Sequence, residues 1–302
     1  MLFLPEEQLP ARQSYTLSQL RTACQNRCVL TARAYLFDAN RQLHFHLGCC
    51  EGILPFEDSA LEAASGTLRD IAILSRVGRL TCFLVRSLEK DTAGRTVAWL
   101  DRAAAQRLCR ESYFDRLQPG DILPARVTSI EGFGAFCDVG YGLIALLPID
   151  YLSVSRIRSP KDRVTVGQSI FCVVRKRDEL GRLVLSMKEL LGTWEENARH
   201  FSAGETVIGR VRGLESYGIF VELTPNLAGL AELRPEVSIG DCVRVYIKSI
   251  QPEKMKIKLI ILDRIDELLP LPPLPFVHTQ GRLTRWNYAS SASGRCMETV
   301  FE

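Results

Sequence analysis

Residues 166–175 read VGQSIFCVVR: an aliphatic residue and a glycine, a run rich in β-formers, and a terminal cation. The same ten-residue pattern stands at 77–86 as VGRLTCFLVR and at 239–248 as IGDCVRVYIK. Each copy is followed by turn residues (DELGR, DTAGR and PEKMK) and a further β-rich run, which reads as a closing hairpin. Working outward, each copy is preceded by a strand in which a small residue stands before arginine: VLTARA with Arg33, ILPARV with Arg126 and VIGRV with Arg210. Between these landmarks, EGILPFED (51–58) and IALLPIDY (144–151) place Pro55 and Pro148 after two aliphatics. A unit repeated three times sets the architecture before any single residue is interpreted. Short β runs with turn signals every ~8–12 residues indicate small barrels, because a parallel α/β sheet would need a helix between successive strands.

The connecting segments mark the boundaries. Residues 14–110 hold the first repeat, opened by Thr16–Gln25, whose Leu17, Leu20 and Cys24 make an amphipathic stripe. Residues 115–190 hold the second repeat, and 191–203, LGTWEENARHFSA, form a helix-compatible linker. The third repeat, 204–262, is shortened, since GLAEL at 229–233 lacks about three residues of the second copy's equivalent. Residues 263–302 hold ELLPLPPLPF (267–276), an extended strap that cannot pair as a central strand, and end in a hairpin-like tail with Trp286 and Tyr288. Trp286 reads either as an RNA contact or as a staple burying the tail on a barrel.

The 302 residues are 46% hydrophobic and 24% charged, the composition of a folded globular protein. Thirty-eight basic residues against thirty-five acidic give +3, so a basic footprint for nucleic acid must be local. The N-terminal MLFLPEEQLP does not read as a signal peptide and no apolar run is long enough to span a membrane, so a cytoplasmic protein is expected, with its ten cysteines as reduced thiols. His44, His46, Cys49 and Cys50 lie close together, but neither cysteine pair has metal-binding spacing, and no metal or cofactor is expected. No phosphate-binding loop or nucleophile-elbow pattern occurs, so the chain reads as non-enzymatic.

The second copy, with GDILPARV, EGFGAFCDVG, the GLIALLPIDYLS stretch and GRLVLSMKEL, resembles the S-one domain family of RNA-binding proteins, and the likeness continues through the 191–203 linker into the third copy. The resemblance implies an all-β fold of three tandem OB-fold, five-stranded barrels with short helical connectors and a proline-rich tail. It implies binding of single-stranded RNA, mRNA above all, and association with the small ribosomal subunit by a monomer. The family's aromatic positions fall on Phe133 and Phe136, and on Tyr217 and Phe220. Three residues apart in a regular strand, such rings would face opposite sides, but the intervening Gly134 or Gly218 allows a bend that brings both to one face. One ring of each pair filling the barrel is the alternative reading.

Around these rings the sequence sets a basic rim. SVSRIRSPKDR (153–163) holds Arg156, Arg158, Lys161 and Arg163 against Asp162, a net of +3 that equals the whole chain's. Arg175 and Lys176 follow a strand end, and Arg126, Arg210 and Lys248 complete the candidate RNA-binding set. Lys254, Lys256 and Lys258 alternate as either phosphate contacts or a solvated strand face. The family often carries a third-strand histidine where Pro148 and Pro55 stand here. In the first copy Arg41 and His44 occupy the ring positions, so that repeat is expected to dock on protein instead. An accessory RNA-binder in RNA decay or transcription regulation, and a docking scaffold without RNA binding, are the competing readings.

Overall fold

The computed structural model describes residues 3–63, 70–267 and 269–302. Residues 64–69 of the first repeat and Leu268 of the strap lie outside the described residues. Helix α1 (Leu17–Gln25) is opened by a capping box between Thr16 and Gln19, and it buries Leu20 and Ala23. The first barrel follows as β1 (Leu30–Phe37), β2 (Gln42–His46), β3 (Glu51–Pro55), the short helix α2 (Asp70–Leu74), β4 (Leu80–Lys90) and β5 (Thr96–Asp101), and α3 (Arg102–Ser112) succeeds it. The second comprises β6 (Ile122–Glu131), β7 (Gly134–Asp138), β8 (Ile144–Pro148), β9 (Ser169–Arg177) and β10 (Leu183–Ser186). Helix α4 (Trp194–Ala198) lies within the linker. The third barrel comprises β11 (Thr206–Glu215), β12 (Gly218–Thr224), β13 (Leu227–Ala231), β14 (Cys242–Gln251) and β15 (Lys256–Ile265), so its last strand runs three residues past 262.

All three sheets close with one strand order: the first strand beside the second, the second beside the third, the third beside the fifth, the fifth beside the fourth, and the fourth back to the first. The third and fifth strands pair in parallel, as Ile53 with Trp99, Leu146 with Val184 and Leu230 with Lys258. Five short strands in this closed Greek-key order are the OB-fold. Period-2 burial drives the closure. On β9, Ile170, Cys172 and Val174 point into the barrel, as do Ile219 and Val221 on β12.

The first compact unit comprises Met1–Leu117 and Asp138–Ile144. Its N-terminal segment carries a buried carboxylate, Glu6, which takes two hydrogen bonds from Arg102 at 2.7 and 3.0 Å and one from Arg76 at 2.6 Å. The backbone N–H of Glu6 in turn donates to Asp138 at 2.8 Å. Burial pushes Glu6 upward, but the two guanidinium groups outweigh it and bring the pKa to about 2. Asp138 is raised to about 6 by burial and by the Glu6 carboxylate.

The second compact unit comprises Gln118–Cys137 and Ala145–Glu302, and one of its core clusters draws on both barrels and the tail. Val173 and Leu190 from the second barrel join Val211, Val221 and Ile257 of the third and Trp286, Tyr288 and Phe301 of the tail. The tail forms a two-stranded sheet, β16 (Arg285–Asn287) with β17 (Glu298–Val300). Trp286 is buried within it, so it staples the tail to the core and does not face solvent. The tail also donates and accepts backbone hydrogen bonds at Gly120, Ile122 and Leu190.

Candidate nucleic-acid interface

Phe133 sits in the turn before β7, Phe136 at the third position of that strand, and both rings lie outside the barrel. Phe133 is 57% exposed and Phe136 half-buried, while Ala135 and Cys137 between and beyond them fill the core. The two rings meet edge to face with centroids 6.0 Å apart and planes at 88°. Gly134 makes this possible: a Cβ there would stand 2.5 Å from the carbonyl oxygen of Leu147, so only glycine lets β7 approach β8 this closely.

The third barrel repeats the device. Tyr217 is 66% exposed, Phe220 is half-buried, and their centroids are 6.1 Å apart at 87°. Gly218 between them would place a Cβ 2.6 Å from the Ala231 carbonyl oxygen. In neither barrel does a ring of the pair fill the core. Across the outer sheet, Phe220 is in register with Leu230, Leu230 with Lys258, and Lys258 with Ser249. That row sets exposed Lys258 on the same face as the ring pair, a placement the plain alternation of lysines in the sequence could not decide. In the second barrel, exposed Lys176 falls on the corresponding row, opposite Val184 and Leu146.

The basic rim divides. Arg156, Arg158 and Lys161 are exposed, as are Lys176 and Lys248. Arg163, expected on the rim, is buried: its guanidinium forks onto Glu222 of β12 at 2.9 and 2.7 Å. Arg175 is tied to the tail, donating to the Val300 carbonyl and lying 5.6 Å from the Phe301 ring centroid. Arg210 donates to the carbonyl of Leu269 in the strap. Arg163 is thus an internal tie, its fork claimed by a partner distant in sequence, while Arg175 and Arg210 stay half-buried with one donor each given to the C-terminal segment. Arg126 is half-buried opposite Ser169 on β9 and beside Gly167. Arg33 shows what the repeated small-Arg signal serves, since it donates to the carbonyl of Gly78 in the equivalent turn.

In the first barrel, His44 occupies the third position of β2, where Phe136 and Phe220 stand on their strands. Its imidazole lies between Glu51 at 2.7 Å and Asp38 at 3.2 Å. Arg41 stacks over Phe56 and pairs with Asp70. Tyr35 stacks on His46 with centroids 3.7 Å apart and donates to Glu51, a pair the sequence reading did not single out. The hydrogen bond from Tyr35, helped by His44, holds the Glu51 carboxyl below its ordinary range. This face therefore carries a stacked Tyr35–His46 pair tied to the Glu51 carboxylate, with Asp38 beside His44, in place of the two edge-to-face rings of the other barrels.

All ten cysteines are free thiols, and among the described residues no group of His, Cys, Asp and Glu is arranged to hold a metal. No helix among the described residues is long and apolar enough to cross a membrane. The closed barrel with paired outward rings around a glycine is an architecture known for holding unpaired bases. Residues 116–188 match the S1 RNA binding domain family. The matched S1 segment is the second barrel. Similarity extends beyond it: the small ribosomal subunit protein bS1 of Leuconostoc lactis is 31% identical over 57% of this chain and 44% of its own length. A bS1 homolog of Bacillus subtilis is 33% identical over 52% of this chain and 41% of its own. The chain thus spans less than half the length of the curated relatives it matches. A multidomain protein with nucleic acid binding domains from Streptococcus pneumoniae aligns over 80% of this chain and 75% of its own at 14% identity, with a TM-score of 0.27.

Proposed function

We propose that this protein is a non-enzymatic binder of single-stranded RNA, mRNA included, that works in the cytoplasm as a monomer alongside the small ribosomal subunit. The observation that carries the reading is the ring pair built twice, with the same spacing and the same edge-to-face angle, on the outside of the second and third barrels. Stacking uses the π-face that every base possesses and contributes about 1–3 kcal/mol per base, so binding tolerates many sequences. Duplex bases are already stacked on one another and cannot lie on these rings. The exposed cations Arg156, Arg158, Lys161, Lys176, Lys248 and Lys258 would hold phosphates in this reading. Resemblance to bS1 supports the link to translation. The first barrel, with Arg41 and a carboxylate-paired His44 at the ring positions, serves attachment to protein in this reading. Fluorescence anisotropy with an oligouridylate and with a hairpin stem, over a salt series, tests it. Preference for the single strand and a falling affinity with salt are expected. Equal affinity for the stem, or no binding to either, rejects the proposal.

A further inference from the structure

Glu222 stands two residues beyond Phe220 on β12, on the outward side of the strand, since Ile219 and Val221 alternate into the core. A carboxylate there, about 7 Å along the strand from the Phe220 backbone, would ordinarily be solvated. It is buried because the 153–163 loop of the second barrel lies on it. The loop is fastened at both ends. At one end the backbone N–H of Val154 donates to Asn226 Oδ1 at 2.9 Å and that of Ser155 to the Pro225 carbonyl at 3.1 Å. Asn226 is itself fixed by donating to the carbonyls of Lys188 and Gly192. At the other end Arg163 forks onto Glu222, and Arg212 of β11 bridges Glu222 to the carbonyl and carboxylate of Asp162.

Between the two clamps run Arg156, Arg158 and Lys161, all exposed. The third barrel's own connection between β13 and β14 is short and carries Glu232, Glu236 and Asp241 against Arg234, whose nearest acidic partner is Glu236 at 3.7 Å. That connection repels phosphate. The third barrel's own loop thus adds no net positive charge to its strand lysines Lys248 and Lys258, while its neighbour's basic loop is bolted to Glu222 on the strand that carries Phe220.

We infer that the basic loop of the second barrel serves the platform of the third: Arg156, Arg158 and Lys161 take the phosphates of a single strand whose bases stack on Tyr217 and Phe220. The inference rests on the RNA-binding reading and adds that the site is composite, built from two repeats. Arg163 and Arg212 also neutralise Glu222, which would otherwise set a negative charge beside the stacked strand.

A double-mutant cycle on the full chain, read with an oligouridylate, decides it. The three exposed cations are replaced together (Arg156→Ala, Arg158→Ala, Lys161→Ala), and this change is combined with Tyr217→Ala and Phe220→Ala or with Phe133→Ala and Phe136→Ala. Groups that engage the same stretch of ligand couple, whereas distant ones add. The loss caused by removing Tyr217 and Phe220 should shrink about threefold or more once the loop is neutral, while the loss caused by removing Phe133 and Phe136 should be the same in both backgrounds. Coupling to the Phe133 pair alone, or additivity with both pairs, overturns the composite site while leaving RNA binding standing. A native chain that fails to bind the oligouridylate at all overturns the RNA reading and this inference with it.

Discussion

Replacing Phe133 and Phe136 together with alanine should weaken single-stranded RNA binding far more than it weakens the fold. Truncating a fully buried phenylalanine costs about 3–5 kcal/mol of stability. Phe133 is 57% exposed and Phe136 only half-buried, so the pair should cost about 1–2 kcal/mol of stability between them. In a unit of this size that lowers the melting temperature by roughly 2–8 °C. Binding loses two stacking contributions of about 1–3 kcal/mol each, or about 2–5 kcal/mol with allowance for non-additivity. The dissociation constant should therefore rise roughly 30- to 4,000-fold at 25 °C. Because the rings touch edge to face at 6.0 Å, each orients the other, and the two single substitutions should sum to more than the double one. Anisotropy titrations beside thermal melts of the same samples provide the measurement. Unchanged affinity with an unchanged melt would refute the platform, and a collapsed melt would return the rings to the core.

Gly134→Ala should weaken binding without touching either ring, because the new Cβ at 2.5 Å from the Leu147 carbonyl must part β7 from β8 and tilt Phe133 off its seat; a cost of about 1–3 kcal/mol in stability is expected with it, and full affinity in anisotropy would contradict the account. Two buried carboxyls should shape acid stability in opposite senses. Glu6, lowered from 4.5 to about 2, makes stability rise with pH between those values, because the unfolded chain binds the extra proton there. Asp138, raised from 3.8 to about 6, makes stability fall as pH climbs from about 4 to 6, because the folded chain holds the proton. Urea unfolding of the native chain and of Asp138→Asn across pH 4–7 should show their difference shrinking through that window and flat above it; parallel curves would exclude the raised pKa.

What could be read from the sequence was what neighbours in sequence decide. The repeated aliphatic-Gly run with its closing turn, the Leu17–Leu20–Cys24 stripe of α1 and the ring-Gly spacing all act within a few residues, and their geometry is set locally. Arg163 looked like any other cation of a basic loop, because its partner Glu222 lies 59 residues away and nothing in local spacing links them. Glu6 was equally silent, since Arg102 is 96 residues downstream. Lys258 remained ambiguous until strand register placed it on the row of Phe220. Closure of a barrel is itself non-local, so which cations face out and which become internal ties depends on contacts that no periodicity encodes.

The tie between Arg175 and the carbonyl of Val300 spans 125 residues, which at about 5–20 residues per second takes a ribosome roughly 6–25 s to bridge. During that interval the second barrel has emerged while the outer side of Val173, which ends in a core shared with the third barrel and the tail, still has nothing to lie against. The nascent chain thus carries an uncovered apolar flank for seconds, the kind of surface that recruits chaperones or seeds aggregation. Folding of the pair becomes a race between synthesis of the tail and misassociation of that flank, and slower elongation through residues 204–302 lengthens the exposure without changing a single native contact.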